Sequence, residues 1–261
     1  PSAAIRAIAL RGEESAWFGQ CYLGSSSLFG QLAADDLALT RRDTGRTLGE
    51  YMEQAGADVN RISAGERLLD PARVAAYVEL HIEQGPVMGA RDLPVAVVTG
   101  LRGNIRHRDV LCRGEAGHAG AVPRWLRHDA VLATAEYLTR LDEHWRVLLE
   151  RGMDLVLTTG ILHTNPDENA MTRIPGECGF SLEIRSQSID TLETFYQLLH
   201  AEADTVSRLR GVAFEFDRRS MSNPAVMDAG WISHLLETCR RLDITTDAIP
   251  SGAGHDAAVF A

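Results

Sequence analysis

Cysteine is scarce in this chain. Four occur in 261 residues, Cys21, Cys112, Cys178 and Cys239, and no two form a Cys-x-x-Cys pair. That spacing excludes a zinc knuckle or a dithiol redox centre and leaves reduced structural thiols, as in a cytoplasmic protein. Basic charge is also short, with 26 Lys and Arg against 36 Asp and Glu, a net charge of −10. Such a surface repels phosphate backbones, so nucleic acid is not an expected partner. No apolar run approaches the roughly 20 residues that span a bilayer, so no membrane partner is expected either. The opening stretch, Pro1-Ser-Ala-Ala-Ile-Arg-Ala-Ile-Ala-Leu10, carries Arg6 inside its apolar run. It makes a poor signal peptide, and residues 5–10 read better as a strand.

Three catalytic signatures are missing. No Gly-x-Ser-x-Gly elbow exists, because Gly24-Ser-Ser-Ser27 lacks the closing glycine. Phosphate-loop and dinucleotide fingerprints are absent as well. Low-complexity segments and internal repeats are not found.

What is present is an alternation of strand-like and helix-like segments in a chain that is 45% hydrophobic, enough for one large or two modest cores. Residues 44–56 read as a short helix closed by Gly56. Residues 77–83 and 94–100 read as strands. Residues 105–113 and 154–163 follow as strands around a helix at 127–143, with Val131, Ala135, Leu138 and Leu141 at helical spacing. Residues 179–185 alternate Phe180, Leu182 and Ile184 with Ser181, Glu183 and Arg185, as a half-buried strand does. Residues 189–209 are a second long helix and 212–216 a strand. Strand-helix-strand-strand-helix-strand is the ferredoxin-like split βαβ order. Residues 229–242 read as a helix and 244–249 as a strand. The fold class expected is therefore α/β. One domain, from 1–101 and 218–261, is interrupted by an α+β domain at 102–217.

Several residue groups have chemical potential. Gly12-Glu13-Glu14-Ser15 follows the first expected strand. Two adjacent carboxylates can divide labour, one binding a metal and the other acting as general base toward water. Equally, they suit a solvated turn. In His81-Ile-Glu-Gln-Gly-Pro86, strand alternation puts Glu79, His81 and Glu83 on one face and Val78, Leu80 and Ile82 on the other. His81 suits a metal ligand at a strand end, and a solvated polar face accounts for it too. Gly117-His118-Ala-Gly-Ala-Val-Pro123 sets a histidine in a Gly-rich turn, able to donate to an oxyanion or to sit idle in a loop. Arg185, on a strand's polar face, suits a bidentate grip on a carboxylate or a salt bridge with Glu183. Ser251-Gly-Ala-Gly-His-Asp256 lets backbone approach a ligand, with His255 and Asp256 lining or orienting it.

In order, Glu13-Glu14, Leu23-Gly-Ser25, His81-Ile-Glu-Gln-Gly-Pro86, Gly117-His-Ala-Gly-Ala-Val-Pro123, Arg127 with Asp129, Glu183-Ile-Arg-Ser186 and Ser251-Gly-Ala-Gly-His-Asp-Ala257 span nearly the whole chain. This set resembles the hydantoinase/carbamoylase branch of the M20 metallopeptidase-like amidohydrolases. That branch includes N-carbamoyl-L-amino acid hydrolases, β-ureidopropionases and allantoate amidohydrolases.

The resemblance implies a cytoplasmic homodimer, joined through a lid domain, that cleaves the carbamoyl or ureido C–N bond of a carboxylate-bearing small molecule. It implies two divalent metals, usually zinc, with manganese or cobalt as variants. Glu14 and His81 then correspond to metal ligands and Glu13 to the general base. His118 corresponds to the lid histidine that reaches the neighbouring subunit's site and steadies the oxyanion. Arg185 corresponds to the carboxylate grip.

The pattern also departs from the family. Thr172 stands where the family has an asparagine before Ile-Pro-Gly, and Arg106 adds a charge that could contact an anion. The family's upstream His-x-Asp and downstream Ser-His ligand segments are not matched, so the chain is expected to be an internal fragment. Two ligands of the five would not assemble the dinuclear site. Two other functions fit the same residues. One is an M20 aminoacylase or dipeptidase. The other is a non-catalytic dimerising or ligand-binding descendant.

Overall fold

The structure, a computed structural model, describes residues 4–261. The chain divides into two compact units, residues 1–91 with 253–261, and residues 92–252.

The second unit holds the strands. They are β1 (Val97–Leu101), β2 (Gly103–Arg113), β3 (Gly117–His118), β4 (Val156–Thr158), β5 (Leu162–His163), β6 (Arg173–Ile174), β7 (Glu177–Ser186), β8 (Ala213–Phe216), β9 (Ser220–Ser222), β10 (Ala225–Val226) and β11 (Ala248–Ser251). The main sheet runs β4-β7-β2-β8, with β5 also on β7 and β9 also on β2. All of its pairings are antiparallel. With the helices Ala130–Glu150 and Ile189–Arg210 between strands, this is the split βαβ arrangement. A smaller sheet, β10-β1-β11, lies in the same unit, and β3 pairs with β6 as a short ribbon.

Alternation along β2 and β7 builds the core of this unit. Ile105, Val110, Cys112, Phe180, Leu182 and Ile184 point inward and meet Tyr137 and Leu141 of the first helix and Leu192, Phe195 and Leu199 of the second. Fully burying each such side chain is worth about 1.5–3 kcal/mol. Local chemistry sets the helix ends. Asp129 accepts from the Leu132 amide at 3.0 Å, and Ser188 from the Thr191 amide at 3.2 Å. Gly211 closes the second helix at φ 66°, where a side chain would be strained.

The first unit is built from short helices, α1 (Leu23–Leu28), α2 (Ala34–Leu37), α3 (Leu48–Gln54), α4 (Val59–Ser63) and α5 (Val87–Ala90). Its buried cluster is Leu23, Leu32, Leu48 and Ile62. Thr47 and Glu50 form a reciprocal cap at the start of α3, with Thr47 N donating to Glu50 Oε2 at 2.7 Å. A closing helix, Ala257–Phe260, docks through Phe260, which stacks on Tyr77 at 3.8 Å and meets Phe29 edge-on at 4.9 Å.

Two expected strands are not formed. Residues 5–10 and 77–83 have extended or irregular backbone and no ladder partner among the described residues. A lone extended segment leaves its N–H and C=O groups to water, so apolar alternation alone does not make a strand. Residues 1–3 of the opening stretch lie outside the described residues. The strand expected over 154–163 is broken into β4 and β5, and the last strand is later than expected, at β11. The expected boundaries at 101/102 and 217/218 do not coincide with the division of the two units, because β1, β10 and β11 cluster with the main sheet. Among the described residues no helix is long and apolar enough to cross a membrane.

Candidate active site

The first unit gathers the chemistry-bearing residues of three distant segments. Glu13 is half-buried and Glu14 exposed. Gln84 Nε2 donates to Glu14 Oε1 at 3.1 Å, joining the acidic pair to the segment that carries His81. The His81 ring lies 4.0 Å from the His255 ring, centroid to centroid, at 56°. Both sides of the Glu13-Glu14, His81 and His255-Asp256 constellation thus come from loops held by a common set of contacts.

The segment 77–83 is inverted relative to ordinary strand logic. Its polar face is the contacted one. Glu79 Oε2 accepts from the Ala257 amide at 2.8 Å, fixing the start of the closing helix. Glu83 accepts from the Val87 and Met88 amides at 2.7 and 3.1 Å, capping α5. His81 sits between them. The apolar face is bare, with Leu80 98% exposed. The reading of Glu79, His81 and Glu83 as a merely solvated face does not hold, since two of the three cap helices.

His81 Nδ1 faces the carbonyl of Ile82 at 2.7 Å. A carbonyl only accepts, so Nδ1 carries a proton, and in the neutral form of the ring the lone pair is on Nε2. That is the tautomer a metal ligand needs. Burial holds the Glu13 carboxyl above its ordinary pKa. The Glu14 carboxylate adds to the rise and His81 opposes it. A carboxylate raised this way is a stronger base. Burial, assisted by His81, pulls His255 down to about 4, so it is neutral near pH 7.

One support escapes sequence reading. Ser25 Oγ donates to Asp256 Oδ1 at 2.5 Å, both residues being buried. The partners are 231 residues apart, so no local signal pairs them. The bond anchors the His255-Asp256 turn to α1. Gly254 allows it, because a Cβ there would fall 1.7 Å from the Tyr22 hydroxyl.

His118 lies in the second unit, on β3, and is exposed. Its Nδ1 accepts from the Gly120 amide at 3.1 Å. Nε2 therefore carries the proton, as an oxyanion donor requires. Arg127 braces this turn, donating from Nε to the Val122 carbonyl at 2.9 Å and from Nη2 to the Ala119 carbonyl. Arg185 lies on the outer face of β7, its Nε 3.0 Å from Glu183 Oε2 and its Nη1 donating to the Gly252 carbonyl at 2.8 Å. The expected salt bridge with Glu183 is present. Thr172 gives its carbonyl to the Ala119 amide at 2.8 Å, so it supports the His118 turn through backbone alone.

Glu14 and the free Nε2 of His81 suit a borderline cation. Two donors do not complete the three or four that a zinc site uses. Among the described residues no group of three or more His, Cys, Asp or Glu side chains could hold a metal ion. These residues do not fit a closed metal centre by themselves.

Residues 3–261 match the model of peptidase family M20/M25/M40. The chain is 34% identical to an N-carbamoyl-L-amino acid amidohydrolase of Geobacillus stearothermophilus, over 97% of this chain and 59% of that protein. It is 28% identical to an allantoate amidohydrolase of Escherichia coli K12, over 100% of this chain and 61% of that protein. The crystal structure of a hydantoinase/carbamoylase family amidase from Burkholderia ambifaria superposes with a TM-score of 0.83. It is 29% identical, over 97% of this chain and 59% of that one. The chain thus spans about three fifths of the length of these relatives.

Proposed function

This chain belongs to peptidase family M20/M25/M40, and from that premise we propose that the whole protein is a metal-dependent amidohydrolase. It cleaves the C–N bond of a carbamoyl or ureido group on a carboxylate-bearing small molecule and releases ammonia and carbon dioxide. The observation that carries the reading is the convergence of Glu13, Glu14 and His81 with His255 and Asp256 inside one unit. The activities named for the similar proteins point the same way.

In this reading Glu13 takes a proton from the attacking water, and the hydroxide adds to the ureido carbonyl. The Nε2–H of His118, contributed by the neighbouring subunit, donates to the oxyanion. Glu13 returns the proton to the departing nitrogen, and the carbamate formed loses carbon dioxide. Arg185 holds the substrate carboxylate, a charge-assisted contact. Glu14 and His81 are the ligands this chain contributes to a pair of divalent ions, zinc in the first place. The protein is proposed to act in the cytoplasm as a homodimer joined through the six-stranded sheet and its helices, which serve as an inserted lid.

The test is ammonia release by the natural full-length protein from N-carbamoyl-L-amino acids, 3-ureidopropionate and allantoate, with N-acetyl amino acids and dipeptides alongside. Ammonia from at least one ureido acid is expected. Hydrolysis of the acyl or peptide substrates with no ammonia from any ureido acid would make it an aminoacylase or dipeptidase instead.

A further inference from the structure

We propose that Arg106 is a second carboxylate receptor on the outer face of the main sheet, so that the preferred substrate carries a second acidic group. The chemical class is an N-carbamoyl derivative of an acidic amino acid, a ureido dicarboxylate. This deepens the function proposed above and rests on Arg185 being the receptor of the first carboxylate.

The register of β2 and β7 supplies the geometry. Arg106 stands directly opposite Glu183, and Asn104 opposite Arg185. Their neighbours Ile105, His107, Leu182 and Ile184 all turn into the core, so Arg106, Glu183 and Arg185 share the outer face. Both guanidinium groups spend Nε on the same carboxylate. Arg106 Nε donates to Glu183 Oε1, and Arg185 Nε stands against Glu183 Oε2. One negative charge thus holds two positive ones, and the group keeps a net positive charge.

The two arginines differ in what remains to bind with. Arg185 gives Nη1 to the Gly252 carbonyl. Its end-on edge is half used, and its position is fixed at two points. Arg106 makes no further side-chain contact among the described residues. Its Nη1–Nη2 edge is whole, and that edge is the fork that receives a carboxylate bidentately. Arg106 is also 46% exposed at the side chain, against 31% for Arg185. Arg102 offers no such fork. Its Nε and Nη2 are both closed onto Asp154, at 2.9 and 2.7 Å.

A sheet-surface ion pair that only stabilised the fold would contribute little, about 0–1 kcal/mol, and would not discriminate between substrates. The experiment therefore reads preference. In the natural full-length protein, kcat/KM is measured for N-carbamoyl-L-glutamate and N-carbamoyl-L-norvaline, which match in length and differ by one carboxylate. Wild type is expected to favour the diacid. Arg106→Gln is expected to lower the diacid-to-monoacid ratio at least about tenfold, the loss typical of one charge-assisted contact. An unchanged ratio would overturn the proposal.

Calorimetry with glutarate and butyrate separates this from failure of the reaction reading. Should no ureido compound be turned over, the function proposed above falls, and binding alone decides the role of Arg106. Tighter binding of glutarate than butyrate, lost in Arg106→Gln, would uphold it. Equal affinity, or binding of neither, would reject it.

Discussion

The two units of this chain use the same alternating pattern to opposite ends. In β7, Phe180, Leu182 and Ile184 face a core and are buried, while Glu183 and Arg185 face outward. In residues 77–83 the polar residues are engaged, and Val78, Leu80 and Ile82 are exposed. The difference lies in partners. β7 has β2 on one side and β4 and β5 on the other, with two long helices packed on its apolar face. Among the described residues no strand pairs with residues 77–83, and their apolar side is exposed. Their place is set by Glu79 and Glu83 capping helix starts. Alternation says that a segment has two faces, and only its neighbours decide which face is inside.

The contrast between the two units can be broken most strongly at Glu13. In the natural full-length protein, Glu13→Gln is expected to lower kcat by about 10²–10⁴-fold, the range for loss of a general base. The folded structure and bound metal should be unchanged. Glu14→Gln is expected instead to lower the metal content, measured by atomic emission. Normal turnover in Glu13→Gln would remove it from the mechanism.

The packing side is tested at Phe180, which is fully buried. Phe180→Ala is expected to destabilise the second unit by about 3–5 kcal/mol in urea titration, because the removed ring leaves a cavity. A loss below about 1 kcal/mol would show that the sheet–helix core is not what holds the unit.

A smaller effect concerns Glu183. Its burial raises the pKa, but hydrogen bonds from Arg185 and Arg106 outweigh that and leave it below the ordinary carboxylate value. A folded-state pKa below the unfolded one contributes stability above the unfolded value, and this is lost as pH falls through the folded one. The second unit should therefore lose stability on acidification below about pH 4.5, the ordinary value for a glutamate. Glu183→Gln should flatten that part of the profile. An identical acid limb in wild type and variant would assign the dependence to other carboxylates.

The smallest effect is expected at Leu80. With its side chain 98% exposed, Leu80→Ser should change the stability of the 261-residue chain by no more than about 0.5 kcal/mol. A cost approaching that of Phe180→Ala would mean that the apolar face of residues 77–83 is covered after all.

Much of the second unit was legible because its signals are local and mutually consistent. Asp129 and Ser188 mark helix starts, Gly211 marks a helix end, and Phe180 to Arg185 alternate without interruption. The break between β4 and β5 and the late position of β11 were not legible, since strand limits depend on where a neighbour stops offering hydrogen bonds. The site was legible as a list of residues. Its supports were not, because Ser25–Asp256 joins positions with no sequence relation and Arg127 binds carbonyls rather than another marked side chain.

The sequence alone determined the residue types available for chemistry and their order along the chain. It also determined the helix caps and the two-faced strands, since each depends on residues a few positions apart. Tertiary structure decided which face of residues 77–83 is engaged, that Ser25 holds Asp256, and that Arg106 and Arg185 share one carboxylate. Each of these depends on a group brought close by folding from elsewhere in the chain. Hydrogen-bond partners and burial act over a few ångströms of space, whatever the separation in sequence.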